Sequence, residues 1–243
     1  MENSMILLDL TLPTPAENLA CDEALLNLCE SGGIGDVLRF WEPKCVFVVI
    51  GYSNRAAVEV NLAACRSDGV PVLRRITGGG AVLQAPGCLN YSLILQFDRW
   101  DLPRGINHAN ALVLERHRTI VERLLRTPVE RRGLTDLAVF GRKISGNAQR
   151  QRSSALLYHG TFLINAPIEL MARYLPMPSK TPDYRAGRSH DEFVINTGLD
   201  PSLLKLEMAR AWGAKHSTQQ WPHAETEILV RTKYSLDTWN FRL

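Results

Sequence analysis

Three consecutive glycines interrupt a strand-like segment, and this interruption restricts the local backbone more than any other feature of the chain. They lie in residues 74–82, with the sequence RRITGGGAV. Residues without a Cβ let the backbone bend until several amide N–H groups converge on one anion. The triplet therefore predicts an anion-binding loop or a flexible turn. Arg75 and Thr77 beside it favour the loop, because they add a cation and a hydroxyl. No Gly-Lys-Ser/Thr follows, which excludes a P-loop.

A lysine in a segment of small residues is the second informative feature. Lys143 lies in residues 141–150, GRKISGNAQR, in a chain where lysine supplies only six of the 28 basic residues. One interpretation is a solvated lysine on a hairpin edge, which is the usual environment of lysine. The other is a half-buried ammonium group that stabilises charge on a ligand. The small residues Ser145, Gly146 and Ala148 favour the second, because they leave room beside the strand.

Two further polar residues have both a structural and a functional interpretation. His159, in His159-Gly160-Thr161, is either a hydrogen-bonded core histidine or a side chain that faces the same pocket as Lys143. Asp136 either binds a metal–phosphate group or only caps a turn. The four arginines of the predicted helix 108–126 are either a surface that attracts an acidic partner or a solvated helix face.

Together these segments resemble the superfamily of lipoate–protein ligases and octanoyltransferases, which also contains the biotin–protein ligases; the similarity is greatest to lipoate–protein ligase A. It extends over most of the chain and implies an α+β fold of mixed β-sheets flanked by helices, like the biotin/lipoate ligase catalytic domain. It also implies that Lys143 touches the activated carbonyl. The residues that it places around the acyl-adenylate are Arg75, Thr77, Gly78, Gly79, Gly80, Ala148, Arg150 and His159.

The resemblance implies an ATP-dependent attachment of lipoate or octanoate to a lysine of a lipoyl domain or a glycine-cleavage H-type protein, through an acyl-adenylate. Its cofactors are ATP and Mg²⁺, with lipoate as substrate. Lipoate ligases commonly carry a small C-terminal domain that helps form the adenylate. We predict that residues 1–243 are a single catalytic domain without it, so that a separate accessory subunit supplies its function or a compact variant works alone. Gln84-Ala85 also replaces the His-Asp that often follows the glycine strand.

The cysteines bear on the choice between ligase and transferase. Octanoyltransferases of this superfamily use a cysteine nucleophile, and none of the five cysteines lies at the expected places near Lys143. Cys88 is the only one near a motif, either as a reactive thiol or as a small buried residue. We therefore predict a ligase. The alternatives are a carrier-dependent octanoyl or lipoyl transferase without ATP, and an acyl-adenylate-binding protein that lacks turnover.

Composition restricts the remaining possibilities. A net charge of +3 does not indicate a nucleic-acid partner, and no apolar run is long enough for a membrane span. An odd number of cysteines without a CxxC pair fits a reducing cytoplasm better than a disulfide framework or a zinc site.

Periodicity and turn residues predict the elements. Helices are expected at residues 16–30, 61–68, 108–126, 168–174 and 201–212. Strands are expected at 72–76, 81–84, 90–97, 134–140, 142–145, 155–165 and 228–233, with a hairpin over 37–51. Residues 176–188 are predicted to be a surface loop that can act as a lid.

Overall fold

The computed structural model describes residues 5–217 and 221–243, and these residues form two mixed β-sheets flanked by helices. The eight-stranded sheet has the order β11-β1-β2-β6-β10-β9-β8-β7, and the three-stranded sheet has the order β4-β3-β5. The strands are β1 Met5–Asp9, β2 Val37–Trp41, β3 Phe47–Ile50, β4 Val72–Arg74, β5 Val82–Gln84, β6 Cys88–Gln96, β7 Glu130–Arg132, β8 Asp136–Val139, β9 Arg142–Gln151, β10 Ala155–Leu163 and β11 Ala214–Ser217.

Both sheets contain parallel and antiparallel pairs. In the large sheet, β1 runs parallel to its neighbours β2 and β11, and the remaining pairs are antiparallel. In the small sheet, β3 runs parallel to β4 and antiparallel to β5. The predicted α+β class with mixed sheets is therefore confirmed.

The helices cover both faces of the large sheet. They are α1 Pro15–Glu30, α2 Ala56–Glu59, α3 Leu62–Asp68, α4 Ile106–Leu125, α5 Met171–Tyr174, α6 His190–Phe193, α7 Pro201–Trp212, α8 His223–Leu229 and α9 Asp237–Asn240, with a π-helical turn at Val230–Tyr234. Local signals set the ends of the longer ones. Thr14 forms a capping box with Glu17 ahead of α1, and Gly213 ends α7 in the left-handed conformation.

Three apolar clusters hold these layers together. One lies between the large sheet and helices α4 and α7, and includes Val113 and Met208. The second lies on the opposite face of the sheet against α1, and includes Leu25 and Leu157. The third surrounds the small sheet together with α5 and α6. Both faces of the large sheet are thus covered. The cluster on the α1 face also includes Ile76, next to the three glycines.

Two predicted elements are wrong, and both errors concern long-range contacts. Residues 37–51 do not form a hairpin, because β2 lies between β1 and β6 of the large sheet while β3 is the middle strand of the small one. Residues 228–233 are helical rather than a closing strand, and Val230 packs with α1 in the second cluster. Strands β1, β7 and β11 were not predicted. Helix 168–174 is split between a 3₁₀ turn, Ile168–Leu170, and α5.

Candidate active site

A cavity of about 760 Å³ opens beside β9 and β10 and brings most of the predicted site residues together. Its size is typical of a site for a small molecule. Its wall includes seven of the predicted residues, Arg75, Gly79, Gly80, Asp136, Lys143, Ala148 and His159. Apolar side chains from both sheets, α1 and the segments near α5 and α6 complete it, among them Leu19, Trp41, Val49, Leu83, Leu163, Met171 and Phe193.

A β-bulge turns Lys143 toward this cavity. On β8 and β9, Asp136 pairs with Gly146, and Ala138 pairs with Lys143 after a register shift that leaves one extra residue, Ile144, on β9. Paired residues share a face, as do residues two apart on one strand. Lys143 therefore lies on the face of Asp136 and Gly146, whereas regular alternation would place it on the opposite one. The Ile144 side chain packs instead in the core beside α4.

The ammonium group of Lys143 is held by a buried carboxylate. Its Nζ lies 2.8 Å from Asp136 Oδ1, and the Tyr184 hydroxyl donates to Asp136 Oδ2 at 2.8 Å. Burial, together with the nearby Asp136 charge, raises the pKa of Tyr184, so the phenol remains a donor. Asp136 was predicted to bind a metal–phosphate group or to cap a turn. It lies in β8, where it fixes the position of the lysine.

The Arg75 side chain holds the glycine loop, residues 78–80, by hydrogen bonds to its carbonyl groups. The guanidinium group donates to Gly78 O at 2.6 and 3.1 Å, to Gly80 O at 2.9 Å and to Val49 O at 3.3 Å. Within the described residues, no backbone N–H of Gly78, Gly79 or Gly80 donates to a protein acceptor. Burial lowers the pKa of Arg75 to about 10, which leaves it charged at neutral pH. With the carbonyl groups bound to Arg75, these amides are free to bind an anion.

The other three predicted residues do not line the cavity. Thr77 is fully buried, and its Oγ1 lies 2.7 Å from Nε2 of His159, which itself lines the cavity. The Arg150 guanidinium lies 5.2 Å from the centre of the Tyr52 ring. Gly78 does not belong to the wall, although its neighbours Gly79 and Gly80 do.

Comparison with known proteins identifies the family. Residues 14–197 match the lipoyl protein ligase A/B catalytic domain. The chain belongs to this family. The match includes the glycine loop, Lys143 and His159, so the resemblance drawn from the three motifs is confirmed.

Relatives within the lipoyl protein ligase A/B family carry two kinds of name. The chain is 33% identical to octanoyltransferase LipM of Exiguobacterium sp., over 93% of this chain and 94% of the relative. It is 28% identical to lipoate-protein ligase A subunit 1 of Thermoplasma acidophilum, over 100% of this chain and 98% of that protein. Family membership alone therefore leaves the choice between ligase and transferase open.

Solved structures of lipoate ligases share the fold. A structure from work on a bi-partite lipoate protein ligase and its E2 lipoyl domain from T. acidophilum matches with a TM-score of 0.81 at 25% identity, over 98% of this chain and 96% of that one. Lipoate-protein ligase A bound with ATP matches with a TM-score of 0.80 at 24% identity, over 98% of both chains.

Gln84, where the resemblance led us to expect His-Asp, has a defined structural role. Gln84 lines the cavity, and its amide nitrogen donates to Asn90 Oδ1 at 3.1 Å and to Thr161 Oγ1 at 2.8 Å. Asn90 and Thr161 also line the cavity. A neutral hydrogen-bonded network therefore occupies this part of the cavity wall. The sequence motifs did not indicate Asn90 as a site residue. It is recognised from its position on β6, where it pairs with Thr161 of β10.

The predicted lid loop forms part of the wall. Residues 176–188 contribute Pro178, Lys180, Thr181, Pro182, Asp183, Tyr184 and Arg185 to the cavity. Gly133 lies against this loop, because an added Cβ would be 3.2 Å from Cβ of Pro182. The loop is therefore in place over Asp136, and its ability to open remains a prediction.

Two of the four arginines of the predicted helix 108–126 pair with nearby carboxylates, and a third, Arg116, packs over Trp100 and Trp212. Arg118 binds Glu115 and Glu122 at 2.7 and 2.8 Å, and Arg123 binds Glu207. These contacts favour the solvated, ion-paired helix face over a surface that attracts an acidic partner.

The described residues contain neither a candidate metal cluster nor a membrane-spanning helix. In residues 5–217 and 221–243, no group of three or more His, Cys, Asp or Glu side chains is arranged to hold a metal ion. None of the helices described combines the length and apolar character that crossing a bilayer requires.

Proposed function

We propose that this chain is an ATP-dependent lipoate (or octanoate) protein ligase that works through an acyl-adenylate. One observation carries the proposal: all five cysteines lie within the described residues, and none of them lines the cavity. Burial raises the pKa of Cys88 to about 11, so its thiol is a poor nucleophile at neutral pH. An acyl-thioester mechanism needs a thiolate within reach of the substrate. A ligase does not.

The cavity supplies what adenylate formation requires. The lipoate carboxylate attacks the α-phosphorus of ATP, the bond to pyrophosphate breaks, and a mixed anhydride forms. The unpaired amides of the glycine loop fit phosphate oxygens, as does a positive potential from Lys143. The apolar wall fits an acyl tail. Lys143 then stabilises the negative charge that develops on the carbonyl oxygen when the acceptor lysine attacks, and donors of this kind contribute about 3–4 kcal/mol.

Mg²⁺ fits this site as a companion of ATP. Magnesium is usually held by one or two carboxylates together with substrate phosphates. Asp136 and Asp183 are carboxylate residues of the cavity wall that would hold it. The ion would supply charge neutralisation at the phosphates. Asp136 would then divide its two oxygens among the ion, Lys143 and Tyr184.

The acceptor in this proposal is a lipoyl domain or a glycine-cleavage H-type protein, and a small accessory subunit assists adenylation. The accessory subunit is supported by the T. acidophilum relative, which is named as one subunit of a bi-partite ligase and matches this chain over its whole length. We also place the protein in the cytoplasm, since its five cysteines are free thiols.

Octanoyl transfer from a carrier protein is the second candidate. It is favoured by relatives named octanoyltransferase LipM that match over nearly the whole chain. It predicts product without ATP and requires a nucleophile. Cys88 is the only cysteine near a motif, so Cys88→Ala would stop this reaction and leave the ligase reaction unchanged.

Mass spectrometry of a lipoyl-domain acceptor tests both candidates. The protein is incubated with lipoate and acceptor, with and without Mg-ATP, and in parallel with octanoyl carrier protein alone. A lipoyl mass gain that needs ATP, survives Cys88→Ala and is lost in Lys143→Ala supports the ligase. Octanoyl gain without ATP refutes it. If ATP and lipoate give no product, preformed lipoyl-adenylate is supplied: turnover then indicates a missing accessory subunit, and its absence indicates a binding protein.

A further inference from the structure

A buried carboxylate outside the cavity lies behind His159. Asp22 of α1 is only 2% exposed, and it binds the Arg39 guanidinium at 2.6 Å and the Ser92 hydroxyl at 2.7 Å. Arg39 is fully buried and also donates to the Asn18 carbonyl and side chain. Asp22 is thus fixed between α1, β2 and β6. Burial alone would raise its pKa, but Arg39, His159 and Ser92 hold the pKa of Asp22 below its usual value.

The imidazole of His159 lies between Asp22 and the start of the glycine loop. Its Nδ1 is 3.8 Å from Asp22 Oδ2, and its Nε2 is 2.7 Å from Thr77 Oγ1. Burial lowers the pKa of His159, although Asp22 acts in the opposite direction, so the ring is neutral at neutral pH. A neutral imidazole carries its single proton on one of the two nitrogens.

The charge of Asp22 selects that nitrogen. A distance of 3.8 Å is too long for a hydrogen bond but close enough for a strong electrostatic preference in a buried site. A lone pair on Nδ1 would face a carboxylate, whereas an N–H there is attracted to it. With the proton on Nδ1, the Nε2 lone pair accepts the hydrogen bond from the Thr77 hydroxyl.

We propose that Asp22 is a positioning residue that holds His159 as the Nδ1–H tautomer and thereby fixes Thr77 and the glycine loop over the cavity. Asp22 does not line the cavity and acts through His159. Through Asp22 and His159, helix α1 and the large sheet are connected to Thr77, which lies in the loop between strands β4 and β5 of the small sheet. The Thr77 carbonyl is held separately by the Tyr52 amide at 2.8 Å, so both ends of this residue are fixed.

The consequence for binding rests on the proposed function. If the loop amides bind the phosphates of ATP, loosening Thr77 weakens ATP binding more than lipoate binding. Thr77→Val removes the hydroxyl and leaves the Asp22–Arg39 pair intact. We expect the apparent affinity for ATP to fall about 3- to 10-fold, the equivalent of one hydrogen bond, with lipoate affinity little changed. Thr77→Ser keeps the hydroxyl and should restore ATP affinity.

The first measurement requires no substrate and no activity assay of any variant. Long-range ¹H–¹⁵N NMR of the ligand-free protein reports which imidazole nitrogen carries the proton, and the His159→Gln spectrum identifies the His159 signals. We expect Nδ1–H in the wild type and a mixture or Nε2–H in Asp22→Asn. The matched control is Asp36→Asn, another buried aspartate, which binds Gln96 and Trp100 instead; it should leave the tautomer unchanged.

Three results would overturn the proposal. Nε2–H in the wild-type protein contradicts it directly. An unchanged tautomer in a folded Asp22→Asn variant shows that Asp22 does not set it. If Asp22→Asn does not fold, the wild-type tautomer and Thr77→Val decide, and equal losses of ATP and lipoate affinity refute the positioning role. Because the tautomer is measured without ligands, failure of the ligase assay does not affect this test.

Discussion

Adding one methyl group at Gly146 should displace the ammonium group of Lys143. A Cβ at this position would lie 2.7 Å from Lys143 Nζ and 2.8 Å from its Cε. Favourable contacts between such atoms begin at about 3.5–4.0 Å. In Gly146→Ala the ammonium group must therefore move by roughly 1 Å away from β9, which changes its distance to Asp136 and to any bound carbonyl oxygen.

The expected effect is on catalysis and not on folding. A displacement of about 1 Å in a catalytic group costs on the order of 100-fold in rate. The group that must move is the end of a flexible side chain that is 27% exposed, so the free energy of unfolding should change by less than about 1 kcal/mol.

Initial rates of acceptor lipoylation and urea unfolding curves measure the two quantities separately. Gly35→Ala is the matched control, because among the described residues the Arg99 side chain alone lies within 4.0 Å of an added Cβ there. It should retain full activity. A wild-type rate in Gly146→Ala would refute the argument, since the position of the ammonium group would then not matter. A loss of more than about 3 kcal/mol in stability would show that the strand, and not the lysine, absorbs the methyl group.

Three further variants test other contacts. Tyr184→Phe removes the hydrogen bond to Asp136; we expect a stability loss of about 1 kcal/mol and faster proteolysis in residues 176–188, and unchanged cleavage there would contradict a loop held by this bond. Arg75→Lys cannot reproduce the planar contacts to the loop carbonyls, so ATP binding measured by calorimetry should weaken at least about tenfold. Burial lowers the pKa of His117 to about 3, and Trp212 donates to it. The unfolded chain therefore takes up a proton that the native protein does not, and stability should fall by about 1.4 kcal/mol per pH unit below about 6.5. Urea midpoints between pH 7 and 4.5 should show a smaller decrease in His117→Gln, and an equal decrease would exclude His117 as the cause.

The sequence predicts what is local, and the structure adds what is long-range. The helix at 201–212 is predicted with its observed bounds, because Asp200, Pro201 and Gly213 mark its ends within the sequence itself. The hairpin over 37–51 is wrong because β2 and β3 are buried at every position, so neither strand shows an alternation that indicates its partner.

The same limit applies to the site. The motifs predict Lys143 and His159 as site residues, and both side chains line the cavity, although their roles stay predictions. Periodicity shows Asp22 only as one polar residue in a helix, since its partner Arg39 lies on another element. The bulge at Ile144 is also invisible, because it depends on how β9 pairs with β8.

Because of the bulge, the face on which the Lys143 side chain lies depends on the relative number of residues in β8 and β9. One residue inserted in β8 between Leu137 and Ala138 would give Ile144 a partner and restore regular alternation. The lysine would then turn to the other face of the sheet although its own segment is unchanged. A homologue could thus keep every letter of GRKISGNAQ and still lose the site, and a designer who transplants this hairpin must copy the unequal strand lengths as well as the residues.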